Sequence, residues 1–193
     1  MRLLGVGCSP RKNGNTEILV KEALRVAAEA GWQTDLFLVS EKKVAPCDAC
    51  EACRPGDCII DDDMQELYKL MDQADGIIFA SPVYFGNVSA QAKAIMDRTF
   101  ALLGKHSLRD KIAGAIVATR RVGAVQARSL IYSFCIGHGM IVADGGIGYG
   151  REPGDVLRGV GGRINFSALE EARMVGTSIV RLGKRLEGDR VGK

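Results

Sequence analysis

The sequence predicts a doubly wound α/β fold in which a five-stranded parallel sheet carries helices on both faces. Short apolar runs alternate five times with segments that have the period of a helix. The runs are continuously apolar, as at 76–80, which is typical of parallel strands that are buried on both faces. Apolar residues in the intervening segments recur at i, i+3, i+4 and i+7, so one face of each helix is expected to cover the sheet.

Each element can be placed in chain order from these patterns. Leu19, Ala23 and Val26 form the stripe of the first helix, and Gly31 stands where a helix C-cap is expected. Ser167 and Glu170 have the spacing of a capping box at the start of the last helix. The predicted strands are 2–7, 35–39, 76–80, 112–118 and 140–143, and the predicted helices are 16–30, 62–74, 89–103, 124–137 and 167–186.

Length and composition predict one domain that spans residues 1–193. No linker interrupts the chain, and a protein of 193 residues buries about 70% of the surface that its unfolded chain exposes. The net charge of +3 comes from 26 basic and 23 acidic residues that are spread along the chain, so nucleic acid is not an expected partner. No apolar run reaches 18 residues and the apolar start is too short for a signal peptide, so we expect no membrane association and a cytoplasmic location.

Two connections are too long for plain turns, residues 40–61 and 145–166, and long loops in a compact domain are usually functional. The first, here called the cysteine loop, is an insertion that contains Cys47, Cys50, Cys53 and Cys58. The second is rich in glycine and contains Arg151, Arg158 and Arg163. We expect it to be a loop at the ligand edge or at a subunit interface.

The segment that joins the first strand to the first helix, residues 8–16, is here called the phosphate loop. It combines the Ser9 and Thr16 hydroxyls with the Arg11 cation and with the free N–H groups of a helix N-terminus, which together suit a phosphate. The third glycine of a dinucleotide-binding fingerprint is missing, and the loop lacks the Gly-Lys-Ser/Thr ending of a Walker A motif. The sequence therefore supports neither an NAD-binding Rossmann site nor an NTPase site. The alternative is a plain turn at Asn13-Gly14 with Asn15 as the helix cap.

The segment after the third strand, residues 81–87, is here called the aromatic loop. It places Tyr84 and Phe85 between Pro82 and Gly86-Asn87 at the carboxyl end of a buried strand. Flat side chains beside exposed backbone groups suit a planar heterocycle. The alternative is an ordinary loop in which the aromatic side chains cap the core.

The four clustered cysteines follow the pattern C-x2-C-x2-C-x4-C, and three readings of this pattern compete. Thiolates are soft ligands, and a compressed run without histidine favours a 4Fe-4S cluster. A structural zinc site is possible, although it usually has two separated C-x2-C pairs. The thiols could also be a redox dithiol, or a remnant of a cluster site. Cys8 and Cys135 lie outside the run and are expected to be small apolar fillers.

The phosphate loop, the aromatic loop and the cysteines between them resemble the iron-sulfur flavoproteins, a branch of the flavodoxin-like NADPH-dependent FMN reductase superfamily. The resemblance covers about 3–98 well and becomes looser beyond. It implies a flavodoxin-like fold with FMN and a 4Fe-4S cluster, and assembly into homodimers or homotetramers. The implied metal ligands are Cys47, Cys50, Cys53 and Cys58. The implied FMN-binding residues are Ser9, Arg11, Asn13, Asn15 and Thr16 at the phosphate, Pro82, Val83, Tyr84, Phe85, Gly86 and Asn87 at the ring, and Thr119 and Gly123 on its far side.

Three functions are consistent with this sequence. The first is an FMN and 4Fe-4S oxidoreductase that takes electrons from a reduced carrier such as ferredoxin and passes them to a small-molecule acceptor. The second is an NAD(P)H-dependent FMN or quinone reductase without a functional cluster, and the third is a flavin-binding electron carrier or redox sensor. Neither His106 nor His138 has a neighbour that would suggest a nucleophile with a general base, so we expect no catalytic side chain. The flavin is expected to carry out the redox chemistry.

Overall fold

The computed structural model of the protein describes residues 1–54, 56–158 and 167–191. The strands are β1 (Arg2–Gly7), β2 (Gln33–Leu38), β3 (Gly76–Pro82), β4 (Ile112–Thr119) and β5 (Ile141–Tyr149). The helices are α1 (Asn15–Glu29), α2 (Met64–Gln73), α3 (Ala90–Arg98), α4 (Phe100–Leu103), α5 (Ala124–Gly137) and α6 (Ala168–Val191). None of the helices in these ranges is long and apolar enough to cross a bilayer.

The five strands form one parallel sheet in the order β2-β1-β3-β4-β5. The predicted flavodoxin-like α/β fold is therefore confirmed. Successive side chains of each strand point to opposite faces, so Ile77 joins the core on one face and Ile78 the core on the other. Buried side chains of α1 and α6 pack on the Ile78 face, and those of α2, α3 and α5 pack on the Ile77 face.

The ends of two predicted helices are confirmed in detail. Gly31 has φ +88°, the left-handed backbone that follows α1, and nothing lies within 4 Å of where its Cβ would stand. The backbone N–H of Ser167 donates to Glu170 Oε2 at 2.6 Å, and the Glu170 N–H donates to Ser167 Oγ at 3.2 Å. This reciprocal pair is the predicted capping box at the start of α6.

The prediction of a loop from residue 145 is wrong, because β5 continues to Tyr149. A side chain at Gly145 would stand 2.0 Å from the Tyr132 hydroxyl of α5, and one at Gly146 would stand 3.1 Å from the Glu171 carbonyl oxygen of α6. The glycines therefore let helices approach β5 closely on both faces, which is a packing role and not a loop signal. Arg163 and the rest of 159–166 lie outside the described residues.

Two predicted helices also differ at their ends. The predicted helix 89–103 is divided, since α3 ends at Arg98 and α4 begins at Phe100. The predicted helix 62–74 begins at Met64, because the Asp62 and Asp63 side chains bond to the cysteine loop. Both differences concern the residues that contact the cysteine loop.

Candidate functional site

The loops that carry the candidate residues leave the carboxyl ends of the strands. The strand order reverses at β1, whose neighbours are β2 on one side and β3 on the other. In open α/β sheets a ligand binds beyond the carboxyl edge at such a reversal, and in flavodoxin-like sheets this point lies between β1 and β3. The phosphate loop follows β1 and the aromatic loop follows β3, so topology places the two predicted flavin loops side by side.

The phosphate loop folds tightly over the start of α1. Ser9 is buried, and its hydroxyl accepts a hydrogen bond from the Arg11 N–H at 3.1 Å. Gly14 occupies the N-cap position and donates no side-chain cap, so the first N–H groups of α1 stay available to an anion. Thr16 is buried in the first turn, and Arg11 is exposed beside it. The loop therefore offers helix N–H groups, hydroxyls and a mobile cation to one small anion.

Two asparagines of this loop are bonded within the protein. The Asn13 N–H donates to Glu17 Oε2 at 2.7 Å, with Asn13 at φ 54°. The Asn15 side chain donates to the Glu152 carbonyl oxygen at 3.0 Å and accepts from the Gly154 N–H at 2.9 Å. Asn15 thus fastens the phosphate loop to the segment after β5, and any contact from Asn15 to a phosphate would come from its backbone.

Glu17 is a residue that sequence reasoning missed. Its buried carboxylate bonds to both the Asn13 N–H and Lys21 Nζ, the latter at 2.6 Å. A carboxylate at a helix N-terminus stabilises the helix, but it would also repel a phosphate that binds there. A sequence signal for this role was present. An acid at a candidate anion site needs a positively charged partner to offset its charge, and Lys21 lies one helical turn after Glu17.

The aromatic loop is a tight turn with an exposed tip. Tyr84 and Asn87 exchange two backbone hydrogen bonds of 2.9 and 3.0 Å. Phe85 and Gly86 lie between them with φ 51° and φ 76°, the left-handed pair of a type I′ turn. The Phe85 side chain is fully exposed and Tyr84 is partly exposed. The alternative in which these aromatic side chains cap the core is wrong for Phe85, whose side chain is fully exposed.

The loop after β4, residues 119–123, contacts the aromatic loop. Gly123 has φ +90°, and a Cβ there would stand 2.7 Å from Gly86 Cα and 3.1 Å from a methyl group of Val83. Val83 also donates its N–H to the Ala118 carbonyl oxygen at 2.8 Å, and Thr119 is buried at the end of β4. The structure therefore brings together the predicted ring-binding residues of two separate loops.

The four clustered cysteines line one cavity of about 400 Å³. Arg98 at the end of α3 and Phe100 at the start of α4 form another wall, together with Ile59 and Ile60. Cys47 and Cys50 are exposed, whereas Cys53 and Cys58 are partly buried. The cysteine loop leaves β2 at the carboxyl edge and then passes along α3 to its far end. α3 has nine residues and is about 13 Å long, with the aromatic loop before its first residue and the thiol cavity at its last residues.

Buried contacts tie both ends of the cysteine loop to α3. The Arg98 guanidinium has no exposed surface and bonds to both carboxylate oxygens of Asp62, at 2.8 and 3.1 Å. It also donates to the Ala45 carbonyl oxygen at 3.0 Å and the Ile60 carbonyl oxygen at 3.4 Å. Gln65 Nε2 donates to the carbonyl oxygens of Cys58 and Ile60, at 2.9 and 2.8 Å. No role was predicted for Arg98. Its position one turn after Ile95, on the buried stripe of the helix, was a signal that the arginine is buried and paired.

Hydrogen bonds outweigh burial at the Arg98–Asp62 pair. Burial opposes charge on Arg98 and so acts to lower its pKa, but the hydrogen bonds with Asp62 raise the pKa above its usual value. Burial likewise acts to raise the pKa of Asp62, yet Arg98 and two backbone N–H donors hold it below its usual range. Burial raises the pKa of Cys8 and of Cys135 to about 12. These two thiols stay neutral in the core, as expected of small apolar fillers.

The residues around the cavity suit an anionic sulfur-ligated group. Within the described ranges, no three Cys, His, Asp or Glu side chains converge as the ligands of a single metal ion would. The four thiols nevertheless share one cavity, and among the described residues its walls contain no histidine. The walls also contain the carboxylates of Asp48, Glu51 and Asp97. Arg98 adds a buried cation, and its Nε–H has no partner among the residues that the structure describes. A soft donor set beside a buried positive charge fits the iron-sulfur cluster that the sequence suggested.

Comparison with known proteins gives the family of the chain and agrees with its fold. Residues 1–150 match the model of the NADPH-dependent FMN reductase family. The chain is 39% identical to iron-sulfur flavoprotein MJ1083 of Methanocaldococcus jannaschii, over 97% of this chain and all of that protein. It is 45% identical to an iron-sulfur flavoprotein of Methanosarcina thermophila, over 74% of this chain and 76% of that protein.

A solved structure supports the fold. The flavodoxin, WrbA-like protein of Agrobacterium tumefaciens superposes with a TM-score of 0.65 at 16% identity, over 95% of this chain and 98% of that one. Fold and family together define a flavodoxin-like, flavin-dependent oxidoreductase. The chain belongs to the iron-sulfur flavoproteins within the NADPH-dependent FMN reductase family, as the resemblance of its loops predicted.

Proposed function

We propose that this protein is an oxidoreductase with FMN and a 4Fe-4S cluster that passes electrons from a reduced carrier such as ferredoxin to a small-molecule acceptor. The observation that carries the proposal is the single cavity lined by Cys47, Cys50, Cys53 and Cys58 at one end of α3. The aromatic loop leads directly into the other end of the same helix. A flavin exchanges electrons one or two at a time, and a cluster exchanges them singly.

The chain's own residues would bind and orient the flavin. Helix N–H groups of α1 with Ser9, Arg11 and Thr16 would hold the FMN phosphate, while Asn13 and Asn15 would shape the phosphate loop through their contacts with Glu17 and the segment after β5. The flavin ring would lie against the aromatic loop and the loop after β4. The ring-binding residues proposed on these two loops are Pro82, Val83, Tyr84, Phe85, Gly86, Asn87, Thr119 and Gly123.

Three further properties stay predictions. They are a single domain that spans residues 1–193, assembly into a homodimer or homotetramer, and a cytoplasmic location.

The cluster assignment is tested by replacing one thiol inside the loop and one outside it. Protein purified anaerobically is expected to hold about four iron and four sulfide per chain, with FMN. Cys50→Ala is expected to keep FMN and lose most of the iron, because an exposed loop thiol binds metal and does not support the core. Cys135→Ala is the matched control, since that thiol is buried in the core far along the sequence from the loop.

Metal analysis and the absorption spectrum decide the outcome. Full iron content in Cys50→Ala would refute the assignment of Cys50, and zinc in place of iron in the wild-type protein would refute the cluster. Loss of iron in Cys135→Ala as well would show that any thiol replacement disturbs the site.

The family match favours a second candidate, direct reduction by NAD(P)H. The exposed cations Arg120 and Arg121 on the loop after β4 suit the phosphates of such a donor. Rapid bleaching of the flavin by NADPH without a mediator would support this function. Bleaching only by a reduced carrier protein would support the first, and a single reduction without turnover would indicate an electron carrier or sensor.

A further inference from the structure

Arg98 is the largest fully buried side chain of the described core, and it carries a charge. Removing a guanidinium from water is costly unless its charge is paired and its N–H groups are bonded. A buried arginine therefore marks a place where the fold needs several directed contacts at once. In this chain the contacts lead to the cysteine loop and not to the flavin loops.

The guanidinium joins the two ends of the cysteine loop. Ala45, whose carbonyl oxygen accepts from Nη1, precedes Cys47 by two residues. Ile60, whose carbonyl oxygen accepts from Nη2, follows Cys58 by two residues. All four thiols thus lie on the stretch of chain between two backbone groups that one side chain binds.

Asp62 completes the closure from the other side. Its Oδ2 accepts from both Arg98 Nη1 and the Ala45 N–H, the latter at 2.8 Å. Next to it, Asp63 Oδ2 accepts from the Lys43 N–H at 2.6 Å, and the Asp63 N–H donates to the Lys43 carbonyl oxygen at 3.1 Å. These two hydrogen bonds join Lys43 to Asp63 next to the Arg98–Asp62 pair and so add a further link between the two ends of the loop.

We propose that Arg98 is the positioning residue of the four thiols: with Asp62 it closes the cysteine loop before any iron binds, and it holds a fixed positive charge against the cavity. The entropic cost of bringing the loop ends together is then offset when the chain folds. Metal binding does not have to supply the free energy for that step. The first half of this inference concerns the metal-free chain. The second half rests on the proposed cluster.

The charge acts on the cavity because of where the two partners stand. Arg98 is part of the cavity wall and Asp62 is not, so the cation lies nearer to the thiols than its carboxylate partner does. Asp48, Glu51 and Asp97 also line the cavity and oppose the effect of Arg98, but they are the same in wild type and in both variants. Reduction of a cluster adds a negative charge, and nearby positive charge favours the reduced form. A side chain that only held the loop in place would not determine whether the midpoint potential of the cluster rises or falls.

The closure is tested in metal-free protein by hydrogen exchange at the backbone amides of Lys43, Ala45 and Asp63. The double variant Arg98→Met with Asp62→Asn removes both charges, so no unpaired ion is left in the core. It is expected to fold with native FMN binding while these amides exchange about tenfold faster or more. Arg25→Met, which breaks an exposed ion pair on α1, is the control and is expected to change none of them.

The charge is tested by titrating the cluster potential in the two single variants. Arg98→Met leaves the Asp62 carboxylate and is expected to lower the midpoint potential, whereas Asp62→Asn leaves the cation and is expected to raise it. Loosening of the loop alone would move both potentials in the same direction. If Arg98→Met does not fold, the rise in Asp62→Asn against wild type remains the test.

The two parts fail separately. Wild-type amide protection in the folded double variant would overturn the closure, and shifts of one sign would overturn the role of the charge. If wild-type protein took up no iron, the proposed function would fail, while the exchange measurement would still decide whether Arg98 and Asp62 close the loop.

Discussion

Gly123 shows how one residue controls the contact between two candidate flavin loops. Its φ of +90° is strained for any residue with a Cβ, and that Cβ would stand 2.7 Å from the Gly86 backbone. Gly123→Ala is expected to lower the free energy of unfolding by about 1–3 kcal/mol and to weaken FMN binding, because the aromatic loop must move. Thermal unfolding and an FMN titration measure the two effects.

Gly31→Ala separates strain from crowding. Gly31 has nearly the same φ, +88°, but nothing lies within 4 Å of its missing Cβ. This variant is expected to lose only the strain, about 1 kcal/mol, and to bind FMN normally. Equal FMN affinity in the two variants would show that the Gly123–Gly86 contact does not shape the flavin site.

Residue types indicated where a candidate site lies, but not how its side chains bond within the protein. Hydroxyls, an arginine and a helix start marked the phosphate loop, and an aromatic pair beside Gly86 marked the second loop, from local sequence alone. The bonds from Asn15 to Glu152 and Gly154 join residues more than 130 positions apart. No local pattern encodes such a contact, so the sequence suggested only a helix cap at Asn15, or a phosphate contact implied by the family resemblance.

At the scale of elements, α6 approaches α1 through a glycine. A Cβ at Gly176 would stand 2.6 Å from the Ala23 carbonyl oxygen of α1. Alanine favours a helix over glycine by about 1 kcal/mol, but this contact with rigid backbone costs about 1–3 kcal/mol. Gly176→Ala is therefore expected to destabilise the protein in chemical denaturation, against helix propensity.

Gly188 on the same helix supplies the opposite case. Nothing lies within 4 Å of its missing Cβ, so Gly188→Ala is expected to stabilise the protein by up to about 1 kcal/mol. A gain of stability in both variants would mean that α6 and α1 can separate without loss. The sign of the difference between the two glycines thus measures how rigidly this helix pair packs.

The elements that sequence predicted well are those with a repeating pattern. The βα alternation predicted five strands in their places along the chain, and the apolar stripes predicted which faces of the helices are buried. The glycines of β5 were misread because a glycine run is common in loops, and only the neighbouring Tyr132 and Glu171 explain why small residues are needed there. Arg98 was passed over for a related reason, since its partners come from a loop without periodicity.

For the molecule as a whole, α3 connects the two predicted cofactor sites. Its N-cap Ser89 donates from its hydroxyl to the Cys8 carbonyl oxygen at 2.7 Å and accepts from the Ala92 N–H at 3.1 Å, which fixes the helix to the end of β1. Its last residue, Arg98, holds the cysteine loop. One short helix therefore sets the separation between the flavin edge of the sheet and the thiol cavity.

Global stability is expected to fall in mild acid because of His138. Burial lowers the pKa of this histidine, whose Nε2 lies 2.9 Å from Thr99 Oγ1 and whose ring packs edge-on against Phe134. Since the Thr99 hydroxyl donates to the Met96 carbonyl oxygen, Nε2–H is assigned as the donor to Thr99. The charged ring would keep that donor, so burial is what makes the folded state favour the neutral ring.

The unfolded chain binds a proton at His138 near pH 6.5, while the folded chain binds it only at lower pH. Below about pH 6.5 the proton therefore favours unfolding, at up to about 1.4 kcal/mol per pH unit until the folded state also binds it. Urea unfolding of metal-free protein between pH 5 and 7.5 measures this slope, and His138→Gln is expected to flatten it. His106→Gln is the control substitution, because that ring is exposed and lies outside the core. An equal slope in wild type and His138→Gln would assign the acid sensitivity to the carboxylates, of which Asp62, held ionised by Arg98, would be the first to replace.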